Sequence, residues 1–413
     1  LTLFTFLAVV SLLLASCNPP VPTAISTEPP TLSITDTPPV PAVSIPTLPG
    51  PTIAHLSAGQ AISIMKIHML DPFNGWGIGG LEQDHIFRTQ DGGVTWWDVT
   101  PPQPTPADWD MHHAIGDFQD ASTAWVIYPT QVAPPPHYLY IWYTHDGGAT
   151  WQYSSIDTSI STEFFTPFLI DFADAIMHGW LLVYLGAGMS HNYVALLSTT
   201  DGGLTWNTLV TPQDSNDIQS CLKTSMVFFD AQNGWLAREC QGLYPAPQIM
   251  RTTDGGATWT RIEPPAPAGT LNLFTDYACD MASLNPFSAS SVIMAMKCLN
   301  MADNSTQKNY VYSTSDGGAT WTSYPLPADY SMGEGLYFFD PLNGFAFGRK
   351  IYMTTDGGET WTFVQQVFWT GQFSFVNANQ GWASVINDNN ENALVKTGNG
   401  GVHWDMLNPM VVP

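Results

Sequence analysis

The sequence predicts an all-β chain: a seven-bladed β-propeller of four-stranded antiparallel blades. Three observations carry this. First, one ten-residue phrase recurs as "RTQDGGVTWW" from Arg88, "YTHDGGATWQ" from Tyr143, "STTDGGLTWN" from Ser198, "RTTDGGATWT" from Arg251, "STSDGGATWT" from Ser313, "MTTDGGETWT" from Met353 and "KTGNGGVHWD" from Lys396. Second, each copy follows an apolar strand, a turn and a second strand that opens on Gly-Trp or its equivalent, as in "MVFFDAQNGWLA" and "FSFVNANQGWAS". Third, successive copies lie 40 to 62 residues apart, which suits a four-stranded blade, and no helical periodicity competes between them. A blade alone leaves a sheet face bare, and stacking blades around an axis buries it.

Ahead of the propeller, "LTLFTFLAVVSLLLASC" is an uncharged apolar run with the length of a signal-peptide core. Its end, Leu14-Ala15-Ser16-Cys17, resembles a bacterial lipobox. That resemblance implies a signal peptide over 1–16, acylation of Cys17, and a head anchored to the outer leaflet of a membrane in the cell envelope. Residues 17–53 are rich in Pro, Thr and Ser and lack core-forming patterning, so they are expected to be an extended tether. Roughly 35 residues at about 3.1 Å each could reach about 100 Å. The propeller is expected over 54–413.

Inside the phrase, an Asp carboxylate can accept from amides that a tight hairpin leaves unpaired, Gly-Gly supplies positive φ, and Trp closes the turn with its apolar face. The residues assigned this structural role are Asp91, Trp96, Asp146, Trp151, Asp201, Trp206, Asp254, Trp259, Asp316, Trp321, Asp356, Trp361, Asn399 and Trp404. Asn399 keeps an acceptor oxygen without the charge. In a four-stranded meander, the first and third turns share a face. The second-to-third loops and the connections between blades share the opposite face, where long variable segments make a binding site expected.

Those segments include 101–113, 129–138, 186–193, 240–248, 327–335 and 365–372. They offer Trp109, His112, His113, Tyr138, His191, Tyr193, Tyr244, Tyr330, Glu334 and Trp369, aromatics beside amides and carboxylates that suit a sugar or a protein partner. No catalytic residue is assigned, and neither a metal nor another cofactor is expected. Cys221 with Cys240, and Cys279 with Cys298, bracket the first hairpins of their blades. These two disulfides are predicted from the three possible pairings and agree with an oxidising extracytoplasmic space.

The phrase resembles the Asp-box, or BNR repeat, Ser/Thr-x-Asp-x-Gly-x-Thr-Trp. "FFDxxNGW" followed by "TTDGGxTW" resembles the photosystem II assembly/stability factor family and its non-photosynthetic bacterial relatives, over residues 60 to 405 or so. That resemblance implies a non-catalytic binding propeller. Other Asp-box propellers are sialidases and xyloglucanases, so the alternative is a glycoside hydrolase working through paired carboxylates. A sialidase's arginine triad finds little support: Arg88 and Arg251 belong to strands entering the phrases, Arg349 sits at a corresponding strand end, and only Arg238 and Arg261 remain unassigned. With Asp+Glu 35 against Lys+Arg 11, nucleic acid is repelled. A monomer is expected, touching membrane through its lipid anchor only.

Overall fold

Alternating apolar residues commit one face of each short strand to a neighbouring sheet, and the tight turns decide which strands pair. The computed structural model describes residues 52–413 except 106–112, 130–137, 159, 162–163, 174–176, 189–190, 215–216, 241–245, 304, 329 and 331–334. The expected signal peptide, Cys17 and nearly all of the tether lie outside the described residues. The described residues form seven sheets, each built on a four-stranded antiparallel meander in sequence order, the first with a fifth strand added. Their first strands are Ile64–Met69, Ile115–Phe118, Thr166–Ala173, Leu222–Phe228, Tyr277–Ser288, Leu336–Phe338 and Trp369–Phe375. First strands of neighbouring blades meet and form the innermost ring.

The DGG turns are built alike in every blade. Gly92 and Gly93 adopt φ of 78° and 91°, a region open to glycine at little cost. The Thr89 hydroxyl donates to Asp91 Oδ1 and accepts the Gly93 amide at 2.9 Å. Asp91 in turn accepts the Val94 and Thr95 amides at 3.0 and 2.9 Å and the Thr95 hydroxyl at 2.6 Å. In the seventh blade the Asn399 carbonyl accepts the His403 amide at 2.9 Å, so one neutral oxygen sustains the turn. Hydrogen bonds from Thr150 hold the Asp146 carboxyl below the usual range, and those from Thr320 and Thr360 hold Asp316 and Asp356 at about 2.

Replacing Asp91 by alanine is expected to cost about 1–2 kcal/mol, and by asparagine less than half of that, measured as the shift in urea midpoint at constant m-value. Equal losses for the two variants would show that the charge, rather than the acceptor oxygen, matters.

Each DGG turn is tied to the first turn of its own blade. The amide of its first glycine donates to a first-turn carbonyl at 2.8–2.9 Å in all seven blades, from Gly92 to Phe73 through Gly400 to Asn379. Both sets of turns therefore share one face. In four turns the Trp indole N–H donates to the carbonyl of the second glycine, as Trp96 does to Gly93 at 3.0 Å. Trp151 reaches back instead to Val99 O in the preceding blade, at 2.6 Å.

The Trp of the Gly-Trp strands works between blades. Trp125 donates to Gly202 O at 2.9 Å, Trp180 to Gly255 O at 2.8 Å and Trp382 to Gly92 O at 2.8 Å, each reaching the DGG turn of the next blade. Trp76 reaches Asp120 O in the next first turn at 2.9 Å.

A second circuit runs along the first strands, at the register position opposite this Trp. Asp117 accepts the Phe172 amide and Asp171 the Phe228 amide, both at 2.6 Å; Asn285 accepts the Phe338 amide at 3.1 Å. Tyr337 donates to Phe375 O at 2.9 Å, and Ser374 accepts the Met69 amide at 2.8 Å. Val227 occupies the position in blade four; there Asp280 of blade five accepts the Cys240 amide at 2.7 Å.

The ring closes through a strand that the seven-unit count did not foresee. Met410–Val411 adds to blade one, parallel to its outer strand Thr95–Asp98. The Val411 amide donates to Gln60 O at 2.9 Å, and Val411 O accepts the Gly59 amide at 2.8 Å, so the closing strand lies between two parts of the early chain.

Two disulfides form, Cys221–Cys240 and Cys279–Cys298, each across the first hairpin of its blade. Among the described residues, helix is limited to a turn at Leu273–Asp276 and a 3-10 turn at Asp217–Gln219. No described helix is long and apolar enough to cross a membrane. Two segments read as loop are largely strand: 365–372 runs into the first strand of blade seven, Trp369–Phe375, and blade three extends into a long hairpin, His178–Gly188 with His191–Thr199. A bulge at Tyr184/Gly186, with Gly186 at φ 137°, lets the ladder run on where Gly-rich sequence suggests a break.

Candidate functional site

Between the first strands of blades one, two, three and seven lies a cavity of about 480 Å³. First strands build its wall: Lys66, Ile67 and His68 from blade one, Ile115, Gly116 and Phe118 from blade two, Phe168, Leu169 and Ile170 from blade three, and Gln372 from blade seven. Alternation leaves Lys66 and His68 open to the channel while Ile67 between them is buried in the core. The wall is mostly apolar, with one ammonium group and one imidazole.

Lys66 is accessible from the channel yet enclosed by the surrounding blades. Its Nζ donates to Ala114 O at 2.9 Å, while the Ala114 amide donates to Asp84 Oδ2 at 2.9 Å, so the backbone of one residue links base and acid. Enclosure lowers the Lys66 pKa, and the nearby Asp84 charge partly restores it. His68 is lowered by enclosure too, offset in part by its hydrogen bond to the Phe118 backbone. Around the Asp84 side of this mouth lies a buried polar network. His85 Nδ1 meets Asp98 Oδ2 at 2.9 Å, Asp98 accepts the Leu56 amide at 2.7 Å, and the Tyr128 hydroxyl donates to Asp84 O at 3.1 Å. Burial would raise the Asp98 carboxyl, but hydrogen bonds from His85, Thr100 and Leu56 outweigh it and hold it low.

In the same strand column as His68, and flanked by the lining residues Gly116, Phe118 and Ile170, lie the carboxyls Asp117 and Asp171. Enclosure raises Asp117 to about 6, against the opposing pull of Gln119 and the Phe172 amide. Enclosure and the Asp117 charge push Asp171 well above the carboxylate range.

Of the residues expected to bind, Trp109, His112, Tyr244 and Glu334 lie outside the described residues. Tyr138 opens the third strand of blade two, paired with Asp157. His113 is exposed and precedes Ala114 at the cavity mouth. His191 and Tyr193 come together on the extended hairpin of blade three, where His191 bridges to Cys221 and Tyr193 is 42% exposed. Tyr330 is buried between blades five and six, its hydroxyl donating to Gly335 O at 3.0 Å and its carbonyl accepting from Asn309 at 2.9 Å. Trp369 packs edge-on against Trp404 at 5.5 Å in blade seven. The described members are thus dispersed over several blades, not gathered at one point.

Arg238 is buried and donates to Ser220 at 2.7 Å and to Gln248, while Arg261 lies 3.5 Å from Glu263 on the surface. Among the described residues, no three His, Cys, Asp or Glu side chains are placed to hold a metal ion.

Lys66, His68, Asp84, Asp117 and Asp171 escaped the sequence reading. The signal existed in the first strands: aligning "IHM", "GDF", "IDF" and "FSF" sets His68, Asp117, Asp171 and Ser374 in one column, a polar column inside apolar strands.

No family model matches the chain, and no curated protein matches it. Among solved structures it is similar to YCF48 bound to D1 peptide, at 18% identity and a TM-score of 0.49, over 84% of this chain and 99% of that one. YCF48 from Cyanidioschyzon merolae matches at 16% identity and 0.45, over 83% and 96%. An oligogalacturonate lyase from Vibrio parahaemolyticus matches at 9% identity and 0.52, over 79% and 87%. At 9% identity the likeness to the lyase is one of fold alone.

Proposed function

We propose that this chain is a surface-tethered, non-catalytic binding propeller that engages a protein or glycan through the face opposite the DGG turns, at the mouth of the axial channel. The observation that carries the reading is the chemistry of the cavity: an apolar wall with Lys66 and His68 and, among the described residues that line it, no carboxylate. Apolar area with few fixed polar groups suits recognition, whereas glycoside cleavage needs two carboxyls flanking the bond. In this reading the DGG hairpins are Asp-boxes acting as fasteners, and residues 1–53 supply a lipoprotein signal, an acylated Cys17 and a spacer. Two disulfides suit the extracytoplasmic space such a tether implies.

The second reading, a glycosidase, is favoured by Asp117 and Asp171. Carboxyls of adjacent blades whose pKa values enclosure raises have the character a general acid needs. Against it, each already accepts a main-chain amide of the next blade.

The test is capture from envelope extract and a glycan array with the head from residue 54 onward, wild type against Lys66→Met. Binding is expected to fall roughly tenfold or more in the variant, at unchanged melting temperature. Equal binding by both proteins would overturn the channel-mouth reading. Cleavage of an arrayed glycan that disappears in Asp171→Asn would replace it with the enzyme.

A further inference from the structure

The DGG face carries side chains that its turns do not use. At the first-turn position whose carbonyl caps the DGG glycine, only the backbone takes part, and Ser122, Gln232, Ser290 and Asn379 serve as well as any residue. Yet Phe73, Met177 and Leu342 stand there 63%, 47% and 56% exposed. The position after Gly-Gly accepts Ala149, Ala257, Ala319 or Glu359, but holds Val94, Leu204 and Val402 at 49%, 55% and 58% exposure. Single exposed apolar residues are ordinary. Six at two equivalent turn tips on one face, in blades one, three, six and seven, are a surface the fold does not require.

Charge around these tips is one-sided. The turns carry Asp71, Asp120, Asp230 and Asp340 in the first set and Asp91, Asp146, Asp201, Asp254, Asp316 and Asp356 in the second, with Glu359 beside the last. Most of these aspartates are held ionised by their turn amides and hydroxyls, so the charge persists into acid. Basic residues on the same turns are spoken for. Lys396 lies 4.7 Å from the Trp382 ring centroid, near Asp91. Arg251 lies 5.4 Å from the Trp235 ring and donates to Ala289 O at 3.2 Å. Arg88 lies near Asp146. A second copy of this chain would bring like charge to like charge, and anionic lipid would be repelled in the same way.

We infer that the DGG face is a second docking surface, and that its occupant is a basic amphipathic segment of a partner protein. Apolar residues of the segment seat on the Phe73, Val94, Leu342 and Val402 tips, and its lysines or arginines meet the turn carboxylates. This surface is separate from the channel mouth and does not depend on it.

The test measures binding of the full chain to three synthetic peptides of equal length: an amphipathic Lys/Leu peptide, a Lys/Ser peptide of the same charge, and an amphipathic Glu/Leu peptide. The Lys/Leu peptide is expected to bind roughly tenfold or more tightly than either other peptide. A Phe73→Ser, Leu342→Ser, Val402→Ser variant is expected to lose that advantage while the Lys/Ser peptide binds it as before. These side chains are exposed, so the variant should keep the wild-type melting temperature. Amide exchange with the Lys/Leu peptide bound should show protection at the same turns, which tests the site without mutation. Equal binding of the Lys/Leu and Lys/Ser peptides would overturn the inference, as would an unaffected triple variant or protection on the channel-mouth face only. Tighter binding to phosphatidylcholine vesicles than to the Lys/Leu peptide would also overturn it, and would make the apolar tips a membrane contact.

Discussion

Trp180→Ala is expected to cost about 3–5 kcal/mol of stability, the largest loss for any single substitution considered for this protein. Trp180 is 2% exposed and lies flat on Phe228 of the next blade, with ring centroids 3.6 Å apart and an interplanar angle of 2°. Phe228 meets Trp259 edge-on at 5.9 Å, so removing the indole opens a hole between two sheets, not inside one. The indole N–H also leaves Gly255 O without its donor. Denaturant unfolding of wild type and variant measures the loss. The comparison that isolates the hydrogen bond is Trp180→Phe against Trp235→Phe. Trp235 is equally buried, but its indole N–H makes no hydrogen bond, and Arg251 bridges to blade five in its stead. Trp180→Phe is therefore expected to cost about 1 kcal/mol more than Trp235→Phe. A Trp180→Ala loss below about 1 kcal/mol would mean that blade contacts elsewhere hold the ring, contrary to the role given to the Gly-Trp strands.

What could be read from the chain, and what could not, divides along the range of the interactions. The DGG turn is local. Thr89, Asp91, Gly93 and Thr95 satisfy one another within a few residues, so the pattern declares the geometry wherever it recurs. Cys279 and Cys298 are register partners across one hairpin, which their even flanks already suggest. Asp117 is different. Its role depends on the Phe172 amide, 55 residues on, and nothing in "IGDFQD" distinguishes it from a surface acid. Lys66 and Asp84 are linked through the backbone of Ala114, and the closing strand at Met410–Val411 pairs with residues more than three hundred positions earlier. Tyr330 sits in a segment that composition marks as loop, and its burial depends on Asn309 and the blade-six strand beneath it. Long-range contacts of this kind decide which side of a strand faces the axis, so the wall of the candidate site was the least legible part of the sequence.

The same inner circuit makes stability depend on pH in a direction opposite to that of the turn aspartates. Asp117 has its pKa raised from 3.8 to about 6 by enclosure at the channel wall. A carboxyl whose folded pKa lies above its unfolded one favours folding fully when protonated, below about pH 4, and that contribution is lost as pH rises through about 6. The full shift corresponds to about 3 kcal/mol, and partial access to channel water reduces it to about 2 kcal/mol. The turn aspartates, with lowered values, contribute above their unfolded pKa and lose that contribution only as pH falls below about 4.

Asp117→Asn removes the titration and keeps an oxygen for the Phe172 amide, as Asn285 does for Phe338 in blade five. The variant is expected to be about as stable as wild type near pH 4.5 and more stable by about 2 kcal/mol at pH 8. Melting temperatures of the two proteins across that range decide the matter. Parallel curves would mean that Asp117 is ionised throughout, and the channel would then hold a fixed negative charge in place of a carboxyl that gains and loses its proton near neutrality.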